Sequence, residues 1–180
     1  MRIISGKWKG RRFQPPAAMK ARPTTDMARE ALFNVLGNLL SLEGSDVLDL
    51  FTGSGAVALE CSSRGAKVIA VDVAPVSKTF VSKMASEWGA EDFRVVQADI
   101  FKMVKNRQSS FDLIFADPPY AEKRTAALID TLLDDSWLKP GGFLVVEHGG
   151  DLELSSHPAL HLEKEYGAVH FSFFRKDEND

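Results

Sequence analysis

Apolar positions along this chain follow two alternating rhythms. Short, mainly apolar runs bounded by turn formers read as buried strands over residues 47–51, 67–71, 93–97, 111–116 and 143–147. Between them, apolar residues recur at helical spacing. Ala28, Ala31, Leu32, Val35, Leu36, Leu39 and Leu40 share one face of a helix ahead of the first strand, with Thr25 or Asp26 as its N-cap. Ala56, Val57, Ala58 and Leu59 open a second helix, which Gly65 closes. Pro75 suits the first turn of a third, whose face is Val76, Phe80, Met84 and Trp88, up to Gly89. A further helix is expected over 126–134, and Pro140-Gly141-Gly142 should turn into the fifth strand. Towards the C-terminus the rhythm becomes two strands, 160–166 and 169–174, about a turn at Gly167. Alternating strands and helices imply an α/β, doubly wound, mostly parallel sheet, and the closing hairpin adds an antiparallel strand.

Residues 2–13 stand apart from this pattern. Ile3, Ile4, Trp8 and Phe13 are interleaved with charge, and Gly6 and Gly10 offer turns, so a short β-hairpin is expected. Trp8, among basic residues, could stack on a base or pin the hairpin to the body, and the second is favoured. The chain therefore divides into a basic arm, 1–22, and one domain, 23–180, a size that suits a single core. Charge follows the same division. Residues 1–30 hold eight basic and two acidic residues, while the remainder holds fourteen basic and twenty-three acidic. A basic arm on an acidic body suits a polyanionic partner. No apolar stretch reaches the ~20 residues of a membrane span, and the N-terminus lacks the apolar core of a signal peptide. A lone cysteine, Cys61, excludes an internal disulfide, and the four histidines show no ligand spacing. A cytoplasmic, metal-free monomer is expected.

The chemistry concentrates where strands end. Val47-Leu48-Asp49-Leu50-Phe51 runs into Thr52-Gly53-Ser54-Gly55, and a small-residue helix begins at once. Glycines there permit a tight turn and close approach of a ligand, and free amides at the helix start face whatever lies over the strand end. An adenosine-type cofactor is the usual occupant of such a turn. Gly53-x-Gly55-x-x-Ala58 also fits a dinucleotide fingerprint, so a nicotinamide enzyme has to be weighed. Asp72 ends the next strand, where a carboxylate meets ribose hydroxyls. Asp99 follows the third strand and could accept from an adenine amine, with Ile100 or Phe101 against the ring; each aspartate could equally cap a loop. Asp117-Pro118-Pro119-Tyr120 follows the fourth strand. Its two prolines stiffen the turn and aim the Pro118 carbonyl outward beside a carboxylate and an aromatic face. That set suits a planar base with an exocyclic amine: Asp117 and the Pro118 carbonyl accept its two N–H groups, and Tyr120 stacks on the ring.

Asp49-x-Phe51-x-Gly53-Ser54-Gly55 together with Asp117-Pro118-Pro119-Tyr120 resembles the S-adenosylmethionine-dependent amino-methyltransferases of nucleic acids. The closer resemblance is to the bacterial 16S ribosomal RNA guanine-N2 methyltransferases, the small-subunit methyltransferase D group acting at guanine 966. It extends through Arg2-Ile3-Ile4-x-Gly6-x-Trp8-x-Gly10-Arg11, through Arg22-Pro23-Thr24-Thr25-Asp26-x-x-Arg29-Glu30-x-Leu32-Phe33-Asn34, and through the Tyr166-Gly167 hairpin, nearly the whole chain. Ser5, Thr52 and Ala58 depart from residues common in the family, and Tyr120 stands where some members carry phenylalanine. The resemblance implies a Rossmann-like class I methyltransferase with a seven-stranded sheet ordered 3-2-1-4-5-7-6 and S-adenosyl-L-methionine as cofactor. It implies cofactor contacts from Asp49, Phe51, Thr52, Gly53, Ser54, Gly55, Asp72, Asp99 and Ile100, and catalysis at Asp117, Pro118, Pro119 and Tyr120. RNA contacts would come from Arg2, Lys7, Trp8, Lys9, Arg11, Arg12, Arg22, Thr25 and Arg29, with ribosomal RNA or a small-subunit assembly particle as partner. Rival readings are an amino-methyltransferase acting on adenine N6 in DNA or on a protein glutamine amide, a nicotinamide-dependent oxidoreductase, and a non-catalytic RNA-binding factor. The oxidoreductase explains neither the Asp117–Tyr120 stretch nor the hairpin ending.

Overall fold

The computed structural model describes residues 1–19, 25–106, 109–134 and 137–177. Along the chain come α1 (Asp26–Leu39), β1 (Asp46–Leu50), α2 (Ala56–Ser63), β2 (Lys67–Asp72), α3 (Pro75–Glu87), β3 (Phe93–Gln97), α4 (Ile100–Met103), β4 (Phe111–Ala116), α5 (Thr125–Asp134), β5 (Leu138–His148), β6 (Leu160–Tyr166) and β7 (Val169–Arg175). The strands form one seven-stranded sheet, β3-β2-β1-β4-β5-β7-β6. β1 to β5 run parallel, and β7 pairs antiparallel with both β5 and β6.

Alternation along each strand feeds two cores, one on each face. Val47, Leu113, Val145, Phe171 and Phe173 pack with α1 and α2, while Leu48, Ile114, Leu144, Val146 and Phe174 pack with Ile100 and α5. The Thr25 side chain caps α1 by accepting from the Ala28 amide at 3.2 Å. That helix buries Leu32, Phe33 and Leu36 completely, worth about 1.5–3 kcal/mol each.

The N-terminal arm makes a third cluster. Ile3, Trp8 and Phe13 pack on Ala56 and Leu59 of α2 and on Ala85 of α3, with Phe80, Met84 and Trp88 around them. Residues 2–13 close as a hairpin-like loop with a single antiparallel bridge, Arg2 to Arg12, the one sheet-type pairing described there. Docking is polar as well as apolar. Glu60, wholly buried, accepts from the amides of Ile4 (2.7 Å) and Ser5 (3.0 Å), and Ser63 Oγ accepts from the Trp8 amide at 3.0 Å. Gly6 sits at φ +83° so tightly on α2 that a Cβ there would lie 1.9 Å from the Ser63 carbonyl oxygen.

Several features differ from the sequence expectation. β1 stops at Leu50 because Phe51 turns to φ +60°. β5 begins at Leu138, before the expected Pro-Gly-Gly turn, and absorbs Pro140-Gly141-Gly142 as a bulge: Phe111 pairs with Leu138, but Leu113 pairs with Phe143. Pro140 costs no ladder bond there, and Gly141 supplies φ +75°. α4 is a single turn, too short to leave a periodic signal. α3 has two working faces: Ser77, Val81 and Ala85 are buried, whereas Phe80, Met84 and Trp88 meet the arm. Among the described residues no helix is long and apolar enough to cross a membrane.

Candidate active site

The C-terminal ends of β1, β2, β4 and β5 meet along one edge, and the loops that leave them carry the residues singled out from sequence. The loop after β1 is built from below. Asp49, 1% exposed, accepts from Thr52 Oγ1 at 2.5 Å and from the Ala58 amide at 3.1 Å, tying strand, turn and helix start together. Burial raises its pKa from 3.8 to about 7, against the lowering effect of those two hydrogen bonds. Asp49 and Thr52 are thus the floor of the turn, spent on each other rather than facing a ligand. The two glycines also divide their work. A Cβ on Gly55 would strike Val81 at 2.8 Å, so Gly55 serves helix packing; a Cβ on Gly53 would meet only the Phe51 carbonyl at 3.8 Å, leaving open space above it. Ser54 lies half-buried between them.

Asp72 at the end of β2 accepts from the Gly53 amide through one carboxylate oxygen and from the Ala74 amide through the other, both at 2.8 Å. Each oxygen keeps a further lone pair, on a half-buried side chain at the rim. Next to it, Val73 is 64% exposed. An apolar residue left in water directly after a strand-ending acid suits the face of a planar ring. Sequence reasoning passed over Val73, although its position after Asp72 was the available signal. Asp99 caps α4 by accepting from the Lys102 amide at 3.3 Å. Ile100 is in the core rather than against a ligand, because the α4 turn points it inward. Phe101 is half-buried, edge-on to Phe51 (5.8 Å), with the Arg124 guanidinium 3.7 Å from its ring centre. An adenosine-sized group is therefore matched by hydroxyl acceptors on Asp72, open backbone at Gly53 and apolar rims at Val73 and Phe101.

Beside this loop stands the Asp117–Tyr120 turn, joined to it by the Asp117 amide, which donates to the Leu50 carbonyl at 3.2 Å. Pro118 is buried, Pro119 is exposed, and Tyr120 is 54% exposed. Burial, then the carboxylates of Glu147 and Asp49, push Asp117 well above the usual carboxylate range. The Tyr120 hydroxyl lies 3.4 Å from Glu147 Oε1. Glu147, on β5, was not singled out from sequence; its signal was an acid inside an otherwise apolar strand, at the same edge as Asp117. A groove of about 480 Å³ opens at the opposite edge of the sheet, between Asp46, Lys67, Phe93, Arg94 and Phe111, and holds none of these residues.

The arm distributes its charges unevenly. Lys9 and Arg12 are exposed. Lys7 lies over the Trp8 ring (4.6 Å) and Arg11 over Trp88 (5.7 Å). Arg2 approaches Asp26 at 3.8 Å. Two proposed RNA contacts are corrected, Trp8 and Arg29. Trp8 is 4% exposed and packs on Trp88. Arg29 is wholly buried and donates to the Arg2 carbonyl and to Asp26. Thr25, exposed, accepts the capping bond and keeps its O–H free to donate. Arg22 lies outside the described residues. One departure concerns histidine: Glu163, Glu165 and His170 bring ligand atoms within 4.8 Å of one another on the β6–β7 hairpin, with His170 Nδ1 3.7 Å from each carboxylate.

Comparison with known proteins covers most of the chain. The family model described as Conserved hypothetical protein 95 matches residues 1–175. The chain is 34% identical to the Ribosomal RNA small subunit methyltransferase D of Escherichia coli strain K12, over 98% of this chain and 90% of that one. A solved Escherichia coli structure superposes with a TM-score of 0.86 at 30% identity, covering 98% of each chain. A hypothetical protein of Thermus thermophilus superposes with 0.84 at 31% identity, covering 97% of this chain and 98% of its own.

Proposed function

Because the chain belongs to the family described as Conserved hypothetical protein 95, together with the ribosomal RNA small subunit methyltransferases D, we propose that it transfers a methyl group from S-adenosyl-L-methionine to the exocyclic N2 of a guanine in 16S ribosomal RNA, the base numbered 966. The observation that carries this reading is the Asp117-Pro118-Pro119-Tyr120 turn, hydrogen-bonded through the Asp117 amide to the end of β1, where the glycine loop begins. Cofactor loop and base-holding turn are thereby set side by side.

S-adenosylmethionine supplies the methyl group on a sulfonium leaving group. Gly53 would give it backbone access, Asp72 would accept from its ribose, and Val73 and Phe101 would flank its adenine. The guanine amine is a poor nucleophile because its lone pair is delocalised into the ring. Asp117 and the Pro118 carbonyl accept its two N–H groups, localise that lone pair and stabilise the positive charge that develops on nitrogen. The raised proton affinity of Asp117 suits it to receive the proton as the N–C bond forms. Tyr120 stacks on a base that has left its helix. Lys9, Arg11 and Arg12 on the arm meet phosphates, which favours RNA over a protein glutamine as acceptor.

The test is methyl transfer from labelled cofactor to unmodified 16S RNA, naked and within small-subunit particles, with the product nucleoside identified by mass spectrometry. N2-methylguanine at one site is expected. Label on adenine N6 or on protein would overturn the proposed acceptor, and cofactor binding without transfer to any acceptor would favour a binding factor.

A further inference from the structure

We infer that Glu147 is a positioning residue of this site: it holds the Tyr120 ring through the phenolic hydroxyl and forms, with Asp117, a pair of carboxyl groups on neighbouring strand ends. The inference rests on the reading of the Asp117–Tyr120 turn given above.

The pairing follows from register. β4 and β5 are parallel, with Ala116 opposite Val146, so Asp117 and Glu147 are the next residues outward at the same edge. Glu147 is 4% exposed, between the buried residues Val145, Val146 and His148. A carboxyl group kept inside an apolar strand costs free energy unless partners compensate it. One partner is the Tyr120 hydroxyl. The ring is also held at its side: a Cβ on Gly149 would lie 3.0 Å from Tyr120 Cδ2. Tyr120 is therefore fixed at its hydroxyl and at its edge while much of it stays open to solvent. Ordering this ring in advance lowers the entropy cost of stacking a base on it.

The groups facing Asp117 are Glu147 from β5 and Asp49 from β1. His148 turns away, bonding Ser172 Oγ and the Gly149 carbonyl, each at 2.8 Å. Negative charge at Glu147 makes the protonated form of Asp117 more favourable. In the proposed reaction the N2–C bond forms, the C–S bond breaks, and the N2 proton passes to the Asp117 carboxylate as a carboxylic acid. Glu147 thus favours the state in which Asp117 has received the proton.

The test uses the full chain and four variants: Glu147→Gln, Glu147→Ala, Tyr120→Phe and the double variant Glu147→Ala/Tyr120→Phe. Carboxyl ¹³C NMR of the free protein follows the titration of Asp117, with no substrate present. Glu147→Gln should move it to lower pH. In single-turnover methyl transfer the acid limb of the rate profile should move the same way. Glu147→Ala and Tyr120→Phe should each raise the KM for RNA several-fold, and the double variant should be no worse than either. An unmoved Asp117 titration in Glu147→Gln, or additive KM effects in the double variant, overturns the inference. If the Asp117 titration moves in Glu147→Gln while the wild-type protein methylates no RNA, the carboxyl pair stands and the functional reading is overturned instead.

Discussion

Replacing Asp72 with alanine separates cofactor binding from fold stability more cleanly than any other single change at this site. Both carboxylate oxygens of Asp72 already hold loop amides, Gly53 on one side and Ala74 on the other. Each oxygen retains one lone pair towards the rim, where two ribose hydroxyls would bind. Losing hydrogen bonds to a charged acceptor costs about 1.5–3 kcal/mol, so S-adenosylmethionine affinity should fall by about 10- to 150-fold. The two freed amides lie in a half-exposed loop, and water can take up their hydrogen bonds. The stability loss should therefore stay near 1 kcal/mol, about 2–4 °C in Tm for a chain of this size. Asp72→Asn should fall between, because one amide donor would then face a backbone donor. Calorimetric titration with S-adenosylmethionine, paired with thermal unfolding of the same samples, makes the comparison. Unchanged affinity in a folded Asp72→Ala protein would remove Asp72 from the cofactor site, and a collapse in Tm would show that its work is chiefly structural.

At the Asp117–Tyr120 turn, single-turnover transfer at saturating RNA should fall by on the order of 10²–10³ in Asp117→Ala, with Asp117→Asn slow but measurable and S-adenosylmethionine binding retained in both; full activity in the alanine variant would move catalysis elsewhere. Asp49 offers a pH test of stability. Its pKa rises from 3.8 to about 7 on folding, so its contribution is complete below the unfolded value and is lost as pH climbs to about 7. Urea unfolding of wild type and Asp49→Asn from pH 4 to 7 should diverge by on the order of 4 kcal/mol, and parallel curves would contradict the burial argument. Charge reversal at Arg11 and Arg12 should weaken RNA binding and flatten its salt dependence while leaving cofactor affinity unchanged; an unaltered salt slope in filter binding would make the arm purely structural.

What the sequence determined by itself is local in origin. Strand runs, helix faces and the Gly167 turn are written in hydrophobic period and turn chemistry, which act over a few residues. Positions of Asp72, Asp99 and Asp117 at strand ends follow from the same reading, because an acid that closes an apolar run marks the edge where the strand leaves the core. Strand order came from family resemblance rather than from period, since nothing local tells β7 to insert between β5 and β6. Tertiary structure decided the roles that depend on what lies across a contact. Arg29 reads as a surface cation until the arm and α1 enclose it, and Trp8, which could stack on a base or pin the arm, is shown as the pin by its packing against α2 and α3. Asp49 and Thr52 read as ligand groups until their short hydrogen bond shows them bracing the turn from beneath. Gly53 and Gly55 look alike in sequence, yet only Val81, twenty-six residues beyond Gly55, distinguishes a packing glycine from one open to a ligand. The Asp117–Glu147 pair is the clearest instance: thirty residues separate them along the chain, and parallel register alone brings the two carboxyl groups to one edge, where low dielectric and like charge give them a chemistry neither has alone.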